Sequence, residues 1–137
     1  GLDRSTIYVT NAVKHFKFEW AGKRRLHKSP RLLEMRACRP WLERELAAVQ
    51  PRAVVALGAT AGKTLCGPDF RLTQSRGEIE KTDFAERFLA TYHPSAVLRA
   101  QDPTGAEELR HTLVTDLRHI ADWLASGSHG ERKKGGR

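Results

Sequence analysis

Cysteine is scarce, with two in 137 residues, and methionine scarcer, with one. Two thiols in an arginine-rich chain make no disulfide framework and suit a reducing compartment, so a cytoplasmic setting is expected. No apolar run approaches the ~20 residues that a membrane span needs, and the mean hydropathy is −0.54. The opening Gly1-Leu2-Asp3-Arg4 contains no apolar leader-like stretch. No internal repeat is present. Yet hydrophobic residues make up 39% of the chain, too many for a disordered polycation. A chain of this length can bury a core of real size.

What the chain does have is positive charge, +8 in total with a pI near 10.0. The excess is local. Residues Lys14 to Arg36 carry +6 and the tail from His129 to Arg137 carries +3, while residues 37 to 128 carry −1. A neutral body with one basic segment suggests a polyanionic partner, most often nucleic acid. The Gly- and Lys-rich tail, residues 127–137, reads as a disordered extension to a domain covering 1–126.

Apolar runs place the secondary structure. Thr6 to Thr10, Ala53 to Leu57 and Phe88 to Tyr92 are rich in β-branched, aromatic and other apolar residues and read as buried strands. A helix is expected between the first two, capped by Ser29 with Pro30 in its first turn. Leu33, Cys38, Trp41, Leu42, Leu46 and Val49 suit its inner face, and Pro40 kinks it or starts a second helix. A further helix runs from Ala59 to Leu65. Phe70–Thr73 and Glu78–Glu80 could form a small hairpin. The last helix opens on a Thr104/Glu107 capping box and repeats Leu109, Leu113, Leu117, Ile120 and Leu124 before Gly127. Strands alternating with helices predict an α/β domain, with helices on both faces of a parallel central sheet. Such sheets bind ligands beyond the carboxyl ends of their strands. The loops after Thr10, Leu57 and Tyr92 therefore matter most.

One of those loops imitates a phosphate-binding loop. Gly58-Ala59-Thr60-Ala61-Gly62-Lys63-Thr64 follows a strand and opens a helix, but only three residues separate its glycines where the pattern needs four. A tight strand-to-helix turn with small residues for close packing is the simpler reading.

The other loops form an ordered set. Tyr8-Val9-Thr10-Asn11-Ala12-Val13-Lys14 comes first, then Lys23-Arg24-Arg25-Leu26-His27, then Ala37-Cys38-Arg39-Pro40-Trp41-Leu42. Leu57-Gly58-Ala59-Thr60-Ala61 and His93-Pro94-Ser95-Ala96-Val97-Leu98-Arg99 follow. In this order they resemble the uracil-DNA glycosylase superfamily, on its iron–sulfur family 4 branch. The nearest pattern is the UdgX type, with an inserted basic loop of lysine-arginine-arginine-aliphatic-histidine. The resemblance runs from about Tyr8 to Leu124. The family's Cys-x-x-Cys pair and its acidic Gly-Glu-x-Pro-Gly motif do not occur. The chain is therefore expected to be a C-terminal portion that lacks the first strand of the three-layer fold.

The resemblance assigns roles residue by residue. Asn11 matches the uracil-reading Asn, whose amide pairs a donor and an acceptor with O4 and N3–H. Taken alone, it reads as an Asn closing a strand on its own backbone. His93 matches the His that bonds uracil O2 as the base leaves. Ser95 would grip a phosphate, and Val97, Leu98 and Arg99 would press into the space left by the flipped nucleotide. Val97 and Leu98 read equally well as core. His27 matches the loop His that attacks C1′ of the deoxyribose to leave a covalent protein–DNA adduct. Lys23, Arg24, Arg25 and Lys28 would hold the phosphates beside it; from composition alone they read equally as a solvated loop.

The resemblance also implies a four-iron, four-sulfur (4Fe-4S) cluster. Cys38 matches its last ligand, and His15 stands where the third Cys is usual; a His can ligate cluster iron. Cys66 reads as a small buried side chain. The expected protein is thus a monomeric uracil-DNA glycosylase of UdgX type acting on single-stranded, uracil-containing DNA, with no membrane partner. The alternative is a nucleic-acid-binding module of the same fold that lacks the chemistry.

Overall fold

The computed structural model describes residues 2–15 and 17–127. The basic tail from residue 128 onward lies outside the described residues. Two short sheets and five helices make up the described chain.

Strand β3 (Ala53–Leu57) pairs in parallel with β5 (Arg87–Thr91), in the register Ala53 to Arg87 through Leu57 to Thr91. The two-residue β4 (Ile79–Glu80) adds an antiparallel edge to β5. The sheet order is β3-β5-β4, so β5 is central. Alternation along β5 sorts its side chains. Phe88 and Ala90, with Ala56, face Ala61 and Leu65 of α2 (Ala59–Cys66). Leu89 and Thr91 point the other way, and the Thr91 hydroxyl meets Asp116 of α5 (Pro103–Gly127). Helices thus cover both faces, the α/β arrangement that alternating strands and helices predict. Phe88, Leu89 and Ile120 are at most 2% exposed. Each contributes about 1.5–3 kcal/mol by burial.

Helix α1 (Leu32–Val49) begins later than expected. Its N-cap is Arg31, whose backbone N–H donates to Glu34 Oε2 at 2.5 Å, so neither Ser29 nor Pro30 opens it. Pro40 sits inside one unbroken helix. The buried side chains are Met35, Cys38 and Leu42, at helical spacing; Leu33, Trp41 and Val49 are exposed. The expected inner face is therefore partly wrong: the true one is the stripe in phase with Cys38. On α5, the N–H of Gly105 donates to Asp102 Oδ1 at 2.8 Å. Asp102 is thus the cap, and Glu107 pairs instead with Arg110 at 2.7 Å. Leu72–Ser75 is a helical turn, α3, and not a strand of a hairpin.

The largest correction is at the start. Arg4–Thr6 is a 3-10 turn, and Ile7 to Thr10 are not in a strand; Tyr8 and Val9 are 58% and 67% exposed. A strand needs a ladder partner, and among the described residues none runs beside this segment. The basic segment is more ordered than a loop. Phe18–Ala21 (β1) and Arg24–His27 (β2) form an antiparallel hairpin around Gly22 and Lys23. Gly22 has φ +61, a value that glycine adopts without strain. No helix among the described residues is long and apolar enough to cross a membrane.

Candidate functional site

Strand β5 delivers His93 to the end of the sheet. The chain leaves at Thr91, and Pro94 opens the short helix α4 (Pro94–Leu98) with His93 as its N-cap. His93 Nδ1 accepts the backbone N–H of Ser95 at 3.0 Å and lies 2.8 Å from Ser95 Oγ. An accepting Nδ1 puts the ring proton of the neutral imidazole on Nε2, which is then a donor. Arg99 Nη2 donates to Ser95 Oγ at 3.0 Å, so Ser95 links the His93 and Arg99 side chains. Leu98 is 86% exposed, which removes the core reading for that residue; Val97 is half-buried.

Gly58 explains the tight turn after β3. Its φ is +91, and its N–H donates to the Thr91 carbonyl at 2.8 Å. A Cβ there would lie 3.1 Å from His93 Cβ. The second glycine, Gly62, lies under the ring of Phe70 with no space for a Cβ. Both glycines of the imitation phosphate loop therefore serve close packing.

Beneath this loop lies a polar network that sequence reasoning missed. Asp116, 6% exposed, accepts two bonds from Arg76 Nη1 at 2.9 and 2.8 Å and one from the Thr91 hydroxyl at 2.5 Å. Asp116 raises the guanidinium of Arg76 still further above its ordinary range. Arg76 also lies over the Tyr92 ring, 5.6 Å from its centroid. The chain on either side of β5's end is thereby tied to α5. A signal existed: Asp116 is in phase with Leu113 and Ile120 on the apolar stripe.

The hairpin sorts the basic residues onto two faces. Phe18 faces His27 and Trp20 faces Arg25 across the ladder, so these four share one side. Glu19, Ala21, Arg24 and Leu26 share the other. Arg25 lies over the Phe18 and Trp20 rings, 4.9 and 5.3 Å from their centroids. Lys28 pairs with Glu19 at 2.9 Å, an exposed pair worth at most about 1 kcal/mol. Lys23 sits in the turn.

His15 and Cys38 meet. His15 Nδ1 is 3.2 Å from Cys38 Sγ, and the Lys14 backbone N–H donates to the same sulfur at 3.3 Å. Two ion pairs hold this segment on α1: Lys14 with Glu45 at 2.8 Å and Lys17 with Glu34 at 3.0 Å. A thiol and an imidazole nitrogen side by side suit a soft metal centre as two of its donors. Among the described residues no group of three or more His, Cys, Asp or Glu gathers to hold a metal. Cys66 is exposed and not buried as expected; partial burial and Glu80 push its thiol up. Asn11 is exposed, directly after the Ile7 to Thr10 segment, and its amide makes no hydrogen bond among the described residues.

Residues 1–118 match the family model for the uracil DNA glycosylase superfamily. The chain is 26% identical to a type-4 uracil-DNA glycosylase of Sulfurisphaera tokodaii, over 94% of this chain and 61% of the relative. It is 30% identical to the type-4 uracil-DNA glycosylase of Archaeoglobus fulgidus, over 89% of this chain and 58% of that protein. A type-5 uracil-DNA glycosylase of Pyrobaculum aerophilum is 36% identical over 69% of this chain and 39% of the relative. The chain thus spans about three-fifths of these two type-4 relatives.

Proposed function

The chain belongs to the uracil-DNA glycosylase superfamily, and from this we propose that its protein excises uracil from single-stranded DNA and traps the resulting sugar on His27. The observation that carries the reading is the His93 ring. Its Nδ1 is occupied as an acceptor, so Nε2–H is the donor available to a leaving base. Relatives named type-4 and type-5 uracil-DNA glycosylases support the substrate class.

In this reading a flipped uracil lies between Asn11 and His93. The Asn11 amide pairs with O4 and N3–H, a pattern that cytosine reverses. The C1′–N1 bond breaks with its electron pair going to uracil. His93 Nε2–H stabilises the charge that develops at O2. The unprotonated ring nitrogen of His27 then donates its lone pair to C1′, and the resulting imidazolium releases its one N–H proton to solvent while the uracil anion takes one up. Held beside the sugar, the imidazole outcompetes water by proximity. Lys23, Arg24, Arg25 and Lys28 hold flanking phosphates, Ser95 grips a further phosphate, and Val97, Leu98 and Arg99 fill the space vacated by the flipped nucleotide.

His15 and Cys38 would supply two ligands to a 4Fe-4S cluster, and through them the segment before the hairpin would be tied to α1. Cys38 is 5% exposed, in keeping with a ligand shielded from solvent.

The test is a denaturing gel of the complete protein with uracil-containing and thymine-containing single-stranded DNA. A uracil-dependent shifted band that disappears in His27→Gln is expected. An adduct that survives His27→Gln overturns the assignment of the nucleophile. Salt-sensitive binding to both strands with no band points instead to a binding module without the chemistry.

A further inference from the structure

We propose that the Phe18–Trp20 side of the β1–β2 hairpin is a stacking platform for an unpaired base of single-stranded DNA, with Trp20 as its principal contact. The platform rests on the nucleic-acid part of the proposed function and adds a residue to it.

Three observations converge on this side of the hairpin. Trp20 is 63% exposed, although an indole is the side chain that gains most from burial. Its ring meets that of Phe18 edge-on at 5.5 Å, and the Arg25 guanidinium lies over both. The guanidinium therefore covers one side of the Trp20 ring, and the 63% exposure of the indole leaves the rest of it open to a stacking partner. Finally, ladder register puts His27 on the same side as Trp20, opposite Phe18.

The chemistry selects the occupant. Bare apolar surface would accept any apolar partner, but this one carries Arg25 and lies beside Lys23 in the turn. Aromatic faces bordered by guanidinium and ammonium groups stack nucleobases while neutralising the adjoining phosphates. Duplex DNA keeps its base faces covered, so the platform favours an unpaired strand. A base held there would lie on the same side of the ladder as His27, next to the nucleotide whose sugar His27 attacks.

The experiment uses the complete protein with Trp41→Phe and Trp123→Phe, leaving Trp20 as the only one of the three tryptophans. Oligothymidine is titrated in as a single strand and as a duplex with oligoadenosine. Saturable quenching of Trp20 by the single strand, and much less by the duplex, is expected. Anisotropy of a labelled oligothymidine gives the affinities without relying on that background. Trp20→Ala and Trp20→Leu should weaken single-strand binding about tenfold, within the range for loss of one base–aromatic stack. Trp20→Leu keeps apolar bulk on the strand, so a matching loss isolates the π face. Trp41→Ala, an exposed tryptophan on α1, should bind as the parent does. Unchanged affinity in both Trp20 variants, or equal quenching by duplex, overturns the proposal. The two readings fail separately. Quenching without any uracil-dependent adduct removes the glycosylase reading and leaves the platform; an adduct with unchanged Trp20 variants does the reverse.

Discussion

The Nδ1 of His15 lies 3.2 Å from the Sγ of Cys38, across 23 residues of sequence. The Lys14 backbone N–H donates to the same sulfur at 3.3 Å, so the sulfur is held from two sides. If the pair ligates a cluster, the complete protein absorbs visible light in the iron–sulfur region. Cys38→Ala should abolish that band, and His15→Cys should keep it with altered intensity, since a thiolate replaces the imidazole. A band unchanged in Cys38→Ala means that the pair is only a hydrogen bond.

Gly58 sits against His93, with φ +91, and a methyl group at this position would lie only 3.1 Å from His93 Cβ. Gly58→Ala is strained in the backbone and crowds the imidazole at once. Uracil excision by the complete protein should fall by about tenfold or more, with a stability loss of about 1–3 kcal/mol. Gly62→Ala, which strikes the Phe70 ring, should lose comparable stability with a much smaller effect on turnover at a temperature where both variants are folded. Comparing urea unfolding with excision rates separates the two. Equal losses of turnover in both would remove the special role of the Gly58–His93 contact.

Strands β3 and β5 and helix α2 were legible because short apolar runs bounded by glycine and proline need no distant partner to identify them. The Ile7 to Thr10 segment was misread for the opposite reason: its composition favours a strand, but a strand is made by its neighbour. The hairpin was hidden because Arg24, Arg25 and His27 are poor strand formers; the turn glycine and the alternation of Phe18 and Trp20 were its only marks. Motif order singled out His93, His15 and Cys38 as candidates, and the structure places the last two in contact. Asp116 escaped because an acid on a helix reads as surface, and its partner Arg76 is 40 residues away.

Asp116 should be the costliest polar residue to remove. Asp116→Ala leaves Arg76 and Thr91 without their buried acceptor, and a loss of about 2–4 kcal/mol in urea unfolding is expected. Thr91→Val removes one donor and keeps the shape, so about 1 kcal/mol is expected. Because Thr91 also anchors Gly58 through its carbonyl, Asp116→Ala should also slow excision, whereas Thr91→Val should affect it less. Stability equal to the parent in Asp116→Ala would contradict the network.

The contact between His15 and Cys38 should loosen in acid. Lys14, with help from Thr10, holds the Glu45 carboxyl below its ordinary 4.5. The Arg31 N–H, followed by Lys17, does the same for Glu34. A carboxyl whose folded pKa is depressed binds fewer protons folded than unfolded. Its contribution is complete above the ordinary value and is lost as pH falls through the folded one. The urea midpoint should therefore drop as pH is taken from about 6 to about 3, most steeply below about 4.5. Glu34→Gln with Glu45→Gln should lower the midpoint near neutrality and flatten that descent. Both pairs lie near the surface, so the double variant should lower the midpoint at neutral pH only modestly. Exchange of the Lys14 amide proton reports on the same segment. Its protection should fade over the same pH range in the parent, after correction for the intrinsic rate, and already be low in the double variant. A descent as steep in the double variant as in the parent would show that other carboxyls govern acid unfolding, and that these two pairs do not hold the His15 segment on α1.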